Sequence, residues 1–286
     1  MNATFRPAGE DAQEKQEQPP NDLPLHPFAR YQRQLTHPGF GVSSQEKLKN
    51  STVMIAGIGG LGGPVAHYLA AAGVARLILV HAGELELPDL NRQTLLKDEW
   101  VGKPRAKHAA KTLSEFNPEV EVITFDEWIT KDNYLKFFDK VAGSAKTDSQ
   151  KVDLVIDARH NFPERKLLTR GALETGVPII EAAMNGMEGY LFSTLPGSTA
   201  CLECLYPDDP PWDPFGFSVF GAVSGVIGSF AALEAIKILT SYEANLFGTM
   251  QYIDFTTFET RRYKLRKRSD CKICSGTREP QGESDD

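Results

Sequence analysis

Short apolar runs and longer amphipathic stretches alternate along most of this chain. TVMIAG (52–57), RLILV (76–80), VEVITF (120–125), DLVID (153–157) and PIIEAAM (178–184) are aliphatic, β-branched runs bounded by turn residues or charges, which predicts buried strands. Between them, 61–72, 104–116 and 163–175 carry apolar residues at helical spacing, which predicts helices. Strands that alternate with helices need right-handed crossovers. They predict a mostly parallel sheet with helices on both faces, an α/β, Rossmann-like fold. After Gly186 the pattern changes: EGYLFSTLPG, GTMQYIDF and FETRRYKL read as strands flanking a helix near 223–239. They predict a C-terminal mixed β region attached to the same unit.

The flanks are of another kind. Residues 1–24 are polar and rich in Pro, Gln and Glu, and 275–286 resemble them. Both are expected to be disordered tails, leaving 25–274 as one folded domain. AGSAKTDSQK (142–151) reads as a mobile surface insertion. Of the net charge of −7, residues 1–22 and 276–286 each account for −3. The folded body is therefore nearly neutral and offers no electrostatic footprint for nucleic acid. The first residues lack the basic start and apolar core of a signal peptide. The most apolar run, 223–239, contains Glu234 and Lys237 and reads as too short for a membrane span. A cytoplasmic protein is expected.

Its four cysteines form two pairs, Cys201-x-x-Cys204 and Cys271-x-x-Cys274. Two sulfurs on each of two short turns suit tetrahedral Zn²⁺ with no open position, which is a structural site. Two disulfides or four free thiols are the alternatives, disfavoured in a reducing compartment. Zinc would occupy every cysteine and leave none for thioester or persulfide chemistry.

The loop Gly57-Ile58-Gly59-Gly60-Leu61-Gly62-Gly63 follows a strand and opens a helix. Glycines there let backbone approach a phosphate, and the free N–H groups of the helix start attract its charge. A turn needed only for tight strand–helix packing is the competing reading. An acid that would hold a ribose at the end of the second strand is missing, since that segment reads LILVHAG, with His81; this argues against an NAD-dependent dehydrogenase. Downstream, Asp89, Asn91, Arg92 and Gln93 offer a guanidinium fork for phosphate and polar groups for ribose or phosphate oxygens. Lys103, Arg105 and Lys107 add cations at a helix start.

These residues carry a family resemblance. Arg30-Tyr31-x-Arg33-Gln34, the glycine loop, DLNRQT, VGKPRAK and the paired C-x-x-C motifs resemble the E1-like activating enzymes of the ThiF/MoeB/HesA group, from about Phe28 to Cys274. LILVHAG, DARHNFPER, EAAMNGMEGYL and GFSVFGAVSG are most similar to its HesA branch, associated with nitrogen-fixation gene clusters. The resemblance implies a homodimer in which ATP and Mg²⁺ activate the C-terminal carboxylate of a small ubiquitin-like sulfur carrier of the ThiS/MoaD type. Residue by residue, it implies that Gly57, Gly59, Gly60 and Gly62 approach phosphate, and that Arg92 clamps the triphosphate with Asp89, Asn91 and Gln93 around it. Arg33 would reach into the neighbouring subunit's site. Three positions depart from the group's pattern. His81 stands for the ribose-binding aspartate, Arg105 for a triphosphate-binding lysine (Lys103 and Lys107 being substitutes), and His160 for the magnesium-binding aspartate. Asp157 and Asn161 lie beside His160 as further cofactor-side candidates. Where some members carry a catalytic cysteine, this chain reads Asp213-Pro214-Phe215-Gly216. Two functions remain open: an adenylyltransferase that stops at the acyl-adenylate, or a non-catalytic nucleotide-binding or metal-trafficking accessory in nitrogenase cofactor assembly.

Overall fold

The structure, a computed structural model, describes residues 28–138, 151–210 and 218–275. The expected tails (the second from residue 276 on), the 142–151 insertion up to residue 150, and Asp213–Gly216 lie outside the described residues. After two short helices, α1 (Gln32–Leu35) and α2 (Gly41–Leu48), the chain runs β1 (Thr52–Ala56), α3 (Gly62–Ala72), β2 (Arg76–Val80), α4 (Arg105–Phe116), β3 (Glu121–Phe125), β4 (Leu154–Asp157), α5 (Phe162–Thr175) and β5 (Ile179–Asn185). It continues with β6 (Glu188–Thr194), α6 (Leu202–Leu205), α7 (Gly221–Thr240), β7 (Thr249–Asp254) and β8 (Glu259–Lys264).

All strands join one sheet in the order β3-β2-β1-β4-β5-β6-β7-β8. Pairings among the first five are parallel and the last three are antiparallel. Successive side chains of a strand point to opposite faces, and the core divides accordingly. Val53, Ile55, Leu77 and Leu79 face a cluster with Val65 and Leu69 of α3, Leu113 of α4 and Ile227 of α7. Met54, Ala56, Ile78 and Val80 face a second cluster with Leu168 and Ala172 of α5 and Phe137. Burial on both faces is why these strands read as continuous apolar runs rather than alternating ones.

The C-terminal region extends the same sheet as a mixed addition: a tight turn at Gly186 (φ +58°) folds β6 back along all seven residues of β5, β7 and β8 follow antiparallel, and isolated parallel bridges join Gly186 to Val219 and Ser193 to Phe247. The helix α7 brings a correction. Its 20 residues are long and apolar enough to cross a membrane by length and composition. Its contacts are those of a core helix. Buried Glu234 pairs with Lys237 at 3.0 Å and accepts from the Ser193 hydroxyl and the Leu246 amide, and the backbone of Gly228 lies against that of Leu61.

Candidate functional site

The strand order reverses between β1 and β4, and a crevice at such a switch point is where doubly wound sheets bind ligands. The glycine loop leaves β1 there. Gly57 adopts φ +97°, and a Cβ on it would lie 2.5 Å from the Ala158 carbonyl oxygen. A Cβ on Gly62 would lie 1.8 Å from the Gly57 carbonyl oxygen, so the loop closes on itself through glycine alone. A Cβ on Gly60 would lie 2.8 Å from Ser224 Oγ and 2.9 Å from Arg92 Cγ. Gly59 differs, because a Cβ there would meet only the Gln93 side chain, at 3.9 Å. Packing within the protein therefore accounts for Gly57, Gly60 and Gly62, while Gly59 leaves backbone open to a ligand. The start of α3, preceded by Leu61, has no side-chain cap, which leaves N–H donors and the positive helix end available to an anion.

Beside the loop, a 3-10 turn at Leu87–Asp89 puts buried Asp89 between two arginines. Its Oδ1 accepts from Arg92 Nη2 at 2.9 Å and its Oδ2 from Arg105 Nη2 at 2.8 Å. The Glu86 amide also donates to Oδ2. The other nitrogen of the Arg92 fork donates to the Pro88 carbonyl and to Asn91 Oδ1, both at 2.9 Å. Asp89 and Asn91 thus hold Arg92 in place here, where they were expected to bond the nucleotide. Gln93 is buried with its Oε1 unpartnered. Lys103 and Lys107 are exposed around the start of α4.

His81, just past β2, is 6 % exposed and accepts the Ile58 amide of the glycine loop on Nδ1 at 2.8 Å. Burial, then the charges of Arg159 and Arg105, push its pKa well down, so the ring is neutral. His160 is an exposed residue whose ring is partly desolvated, and that effect, followed by the Arg159 charge, lowers its pKa as well. Arg159 itself is buried over the Trp128 ring and bonded to Glu164 at 2.7 Å.

Two expected cofactor-side residues are elsewhere engaged. Asp157 is fully buried, its Oδ2 on Arg165 Nε at 2.6 Å and its Oδ1 on the Arg159 amide. It faces the core and not the crevice. Arg165 also reaches Glu181 at 3.3 Å, and the Thr169 hydroxyl donates to the other oxygen of Glu181 at 2.6 Å. Burial and then Asp157 raise the pKa of Glu181 well above the ordinary carboxylate range. Asn161 caps α5, its Oδ1 accepting the Glu164 amide at 2.9 Å. Arg165, Glu164 and Trp128 were missed by sequence reasoning. The signal for Arg165 was available: two carboxylates inside buried apolar runs, Asp157 and Glu181, call for a buried cation.

Arg33 lies exposed on α1, whose next residue, Gln34, bonds the Ala72 carbonyl at the far end of α3. That end is about 16 Å along the helix from the glycine loop.

The four cysteines converge. Their sulfurs all lie within 4.8 Å of one another, with Cys201–Cys271 at 3.7 Å and Cys204–Cys274 at 3.4 Å. These separations are too long for disulfides and close to the edge of about 3.8 Å that four Zn–S bonds of about 2.3 Å produce in a tetrahedron. Amides of Arg268 and Cys274 point at the sulfurs of Cys204 and Cys271. The hydrogen bond from Cys201 is the chief cause that holds Cys204 down at about 4, while burial lifts Cys274 to about 12. The donor set fits a structural zinc ion. Such an ion would fasten the segment after β8 to the α6 turn.

The model of the ThiF family matches residues 31–273. The chain belongs to the ThiF family. It is 44 % identical over 245 residues to the heterocyst protein HesA of Trichormus variabilis, covering 86 % of this chain and 88 % of that one. It is 36 % identical over 261 residues to the maize adenylyltransferase and sulfurtransferase MOCS3-1, covering 90 % of this chain but only 53 % of that longer protein. Among solved structures, E. coli MccB with MccA-N7isoASN superposes with a TM-score of 0.73 at 24 % identity, covering 86 % of this chain and 74 % of that chain. At that identity the likeness concerns the fold.

Proposed function

We propose that residues 25–274 form a cytoplasmic, ATP-dependent adenylyltransferase domain. It activates the C-terminal carboxylate of a small ubiquitin-like sulfur carrier of the ThiS/MoaD type, without a catalytic cysteine, in molybdenum or nitrogenase cofactor maturation. The observation that carries this reading is the Asp89-held pair Arg92 and Arg105 at the mouth of the glycine loop, beside an uncapped helix start. The carrier's carboxylate oxygen attacks the α-phosphorus, a P–O bond forms, and the bond to the bridging oxygen breaks to release pyrophosphate. Positioning and fixed positive charge are what such a step needs. The adenylyltransferase named among the relatives supports the reaction class, and the HesA relatives support the setting.

Magnesium does not fit the expected residues. Asp157 is committed to Arg165, and His160 offers nitrogen to a cation that prefers oxygen.

The reading includes a homodimer, and two features of one face support it. Tyr68, Val226, Phe230 and Leu233 are exposed there on α3 and α7, and Gln34 lines a groove between them. A second copy on this face would cover the apolar surface and bring Arg33 towards the partner's loop. The assay is carrier-dependent ATP–pyrophosphate exchange. Exchange lost in Arg92→Ala and in Arg33→Ala is the expected result. ATP binding without exchange for any sulfur carrier would overturn adenylation and leave the nucleotide-binding accessory, the reading favoured by His81 and His160.

A further inference from the structure

Three helix ends converge on one tyrosine near the start of the described chain. Tyr31 closes a 3-10 turn (Ala29–Tyr31) and is 2 % exposed, although Arg30, Gln32 and Arg33 around it are exposed. Its ring lies against Gly73, the left-handed residue that ends α3 (φ +85°), where a Cβ would come within 2.5 Å of the Tyr31 Cζ. The Tyr31 hydroxyl donates to Glu119 Oε2 and accepts from Asn117 Nδ2, both at 3.1 Å. Asn117 is fully buried, ends α4, and also donates to the Ala70 carbonyl of α3 at 2.7 Å. Lys49, which ends α2, pairs with Glu119 at 2.9 Å and lies 5.5 Å from the centre of the Tyr31 ring. Three residues on, the attachment is repeated: Gln34 and Gln45 of α2 donate to the same Ala72 carbonyl, at 3.0 and 2.9 Å. Residues three apart share a face of a helical turn, so Tyr31 and Gln34 hold the inner side and leave Arg33 outside.

What this clamp secures is not core. With four residues and none of them buried, α1 is too short to persist unaided, and its attachments set its position. They lie at the far ends of α3 and α4, the two helices whose starts carry the glycine loop and Arg105. The length of α3 therefore separates Arg33 from the loop of its own chain. Gln34 also lines the groove with Tyr68 and Leu233, which puts Arg33 at the edge of the face assigned above to a second copy. A guanidinium serves a reacting phosphoryl group only when its place is fixed, since a misplacement of about 1 Å costs about 100-fold. We infer that Tyr31 is a positioning residue for Arg33, acting on the partner's nucleotide site and not on its own. The inference rests on the dimeric adenylyltransferase reading and adds to it the residue that aims the arginine.

The test is subunit complementation, with full-chain heterodimers purified through a different tag on each chain. Tyr31→Ala homodimers lose carrier-dependent ATP–pyrophosphate exchange by about 100-fold. Tyr31→Phe, which keeps the ring on Gly73 and loses two hydrogen bonds, loses about 10-fold, and hydrogen exchange rises over 29–36 while the rest of the chain stays protected. Pairing Tyr31→Ala with Arg92→Ala leaves one complete site, its Arg92 from the first chain and its Arg33 from the second, and restores about half of wild-type exchange. Pairing Tyr31→Ala with Arg33→Ala restores none, because neither site then receives a placed arginine. Should Tyr31→Ala not fold, Tyr31→Phe takes its place in both pairings, and a Tyr31→Phe with wild-type exchange would overturn the inference. It also fails if the heterodimer with Arg92→Ala is no better than the homodimers, since a tyrosine that serves only its own subunit damages the site awaiting rescue. A wild type that exchanges as a monomer removes the inference and keeps adenylation. Dimers that bind ATP without exchange remove adenylation, and ATP affinity of the same heterodimer then decides: one tight and one weak site supports the inference, two weak sites end it. A wild type that binds no ATP removes both.

Discussion

Arg165→Met is the substitution whose cost the structure fixes most tightly. Arg165 is 3 % exposed, its guanidinium shared between fully buried Asp157 and Glu181, with the Tyr190 hydroxyl at 3.2 Å. Methionine fills much of the volume but removes the only cation between two acids. Breaking a buried pair from one side costs about 3–5 kcal/mol, because a charge is left uncompensated. Burial and the neighbouring Asp157 raise the pKa of Glu181, and the substitution strands this buried pair of acids without its cation. Urea unfolding, read as the midpoint at unchanged slope, measures the loss. The wild type itself has a pH signature. A carboxyl with a raised native pKa binds more protons folded than unfolded, so stability is full below the ordinary glutamate range and falls as pH rises through the native pKa. Neutralising the acids too, in Arg165→Met with Asp157→Asn and Glu181→Gln, should recover most of the loss and remove that fall. A single variant within about 1 kcal/mol of wild type, or a triple variant no better than the single one, would refute the account, since each lies below the cost of a stranded charge.

Other expectations follow from the site and its supports. Gly62→Ala, which forces a Cβ into the Gly57 carbonyl, should cost several kcal/mol or prevent folding; Gly59→Ala should leave the melting temperature in place and weaken nucleotide binding, and equal melting losses for the two would contradict the division of labour in the loop. Zinc analysis should return about one ion per chain, and chelation or Cys271→Ser should unfold the C-terminal segment in hydrogen exchange, a fastening supplied by the bound metal; full folding without metal would count against it. Ile227→Ala, at a fully buried position between α7 and the sheet, should lose about 2–5 kcal/mol in urea unfolding.

Much of the fold was legible because its central strands β1, β2 and β4 are buried on both faces, so each announced itself as an apolar run with a glycine or charge beyond it. The site was legible in kind. The glycine loop, Arg92, Arg105 and the cysteine pairs do gather as their residue types suggest. What a one-dimensional pattern withheld was the identity of partners. Asp157 and His160 stand three residues apart and looked like neighbours in a cation site, but Arg165 comes from the next helix and turns the carboxylate into the core. The ring of His81 is held between an amide 23 residues upstream and the guanidinium of Arg105, 24 residues downstream. The place of β6 depends on a reversal at Gly186 that directs it along β5, which local spacing does not record.

The sharing of Asp89 bears on how Arg92 becomes available. In the described state its fork is satisfied by Asp89, Asn91 and Pro88, so binding a phosphate means leaving them. If Asp89 had no other cation, that departure would strand a buried carboxylate. Arg105 stays on the opposite oxygen at 2.8 Å and keeps it neutralised, so Arg92 is released at small cost. Arg105→Ala should therefore do more than remove one cation: it should lock Arg92 onto Asp89 and reduce nucleotide affinity by about 10-fold or more, the scale of a charge-assisted bond. Adding Asp89→Asn to that variant frees Arg92 and should restore part of the affinity. The double-mutant cycle between Arg105 and Asp89 then departs from additivity, the double variant losing less than the two single losses summed, whereas two independent contacts would simply add. A further loss in the double variant would mean that Asp89 serves the ligand directly.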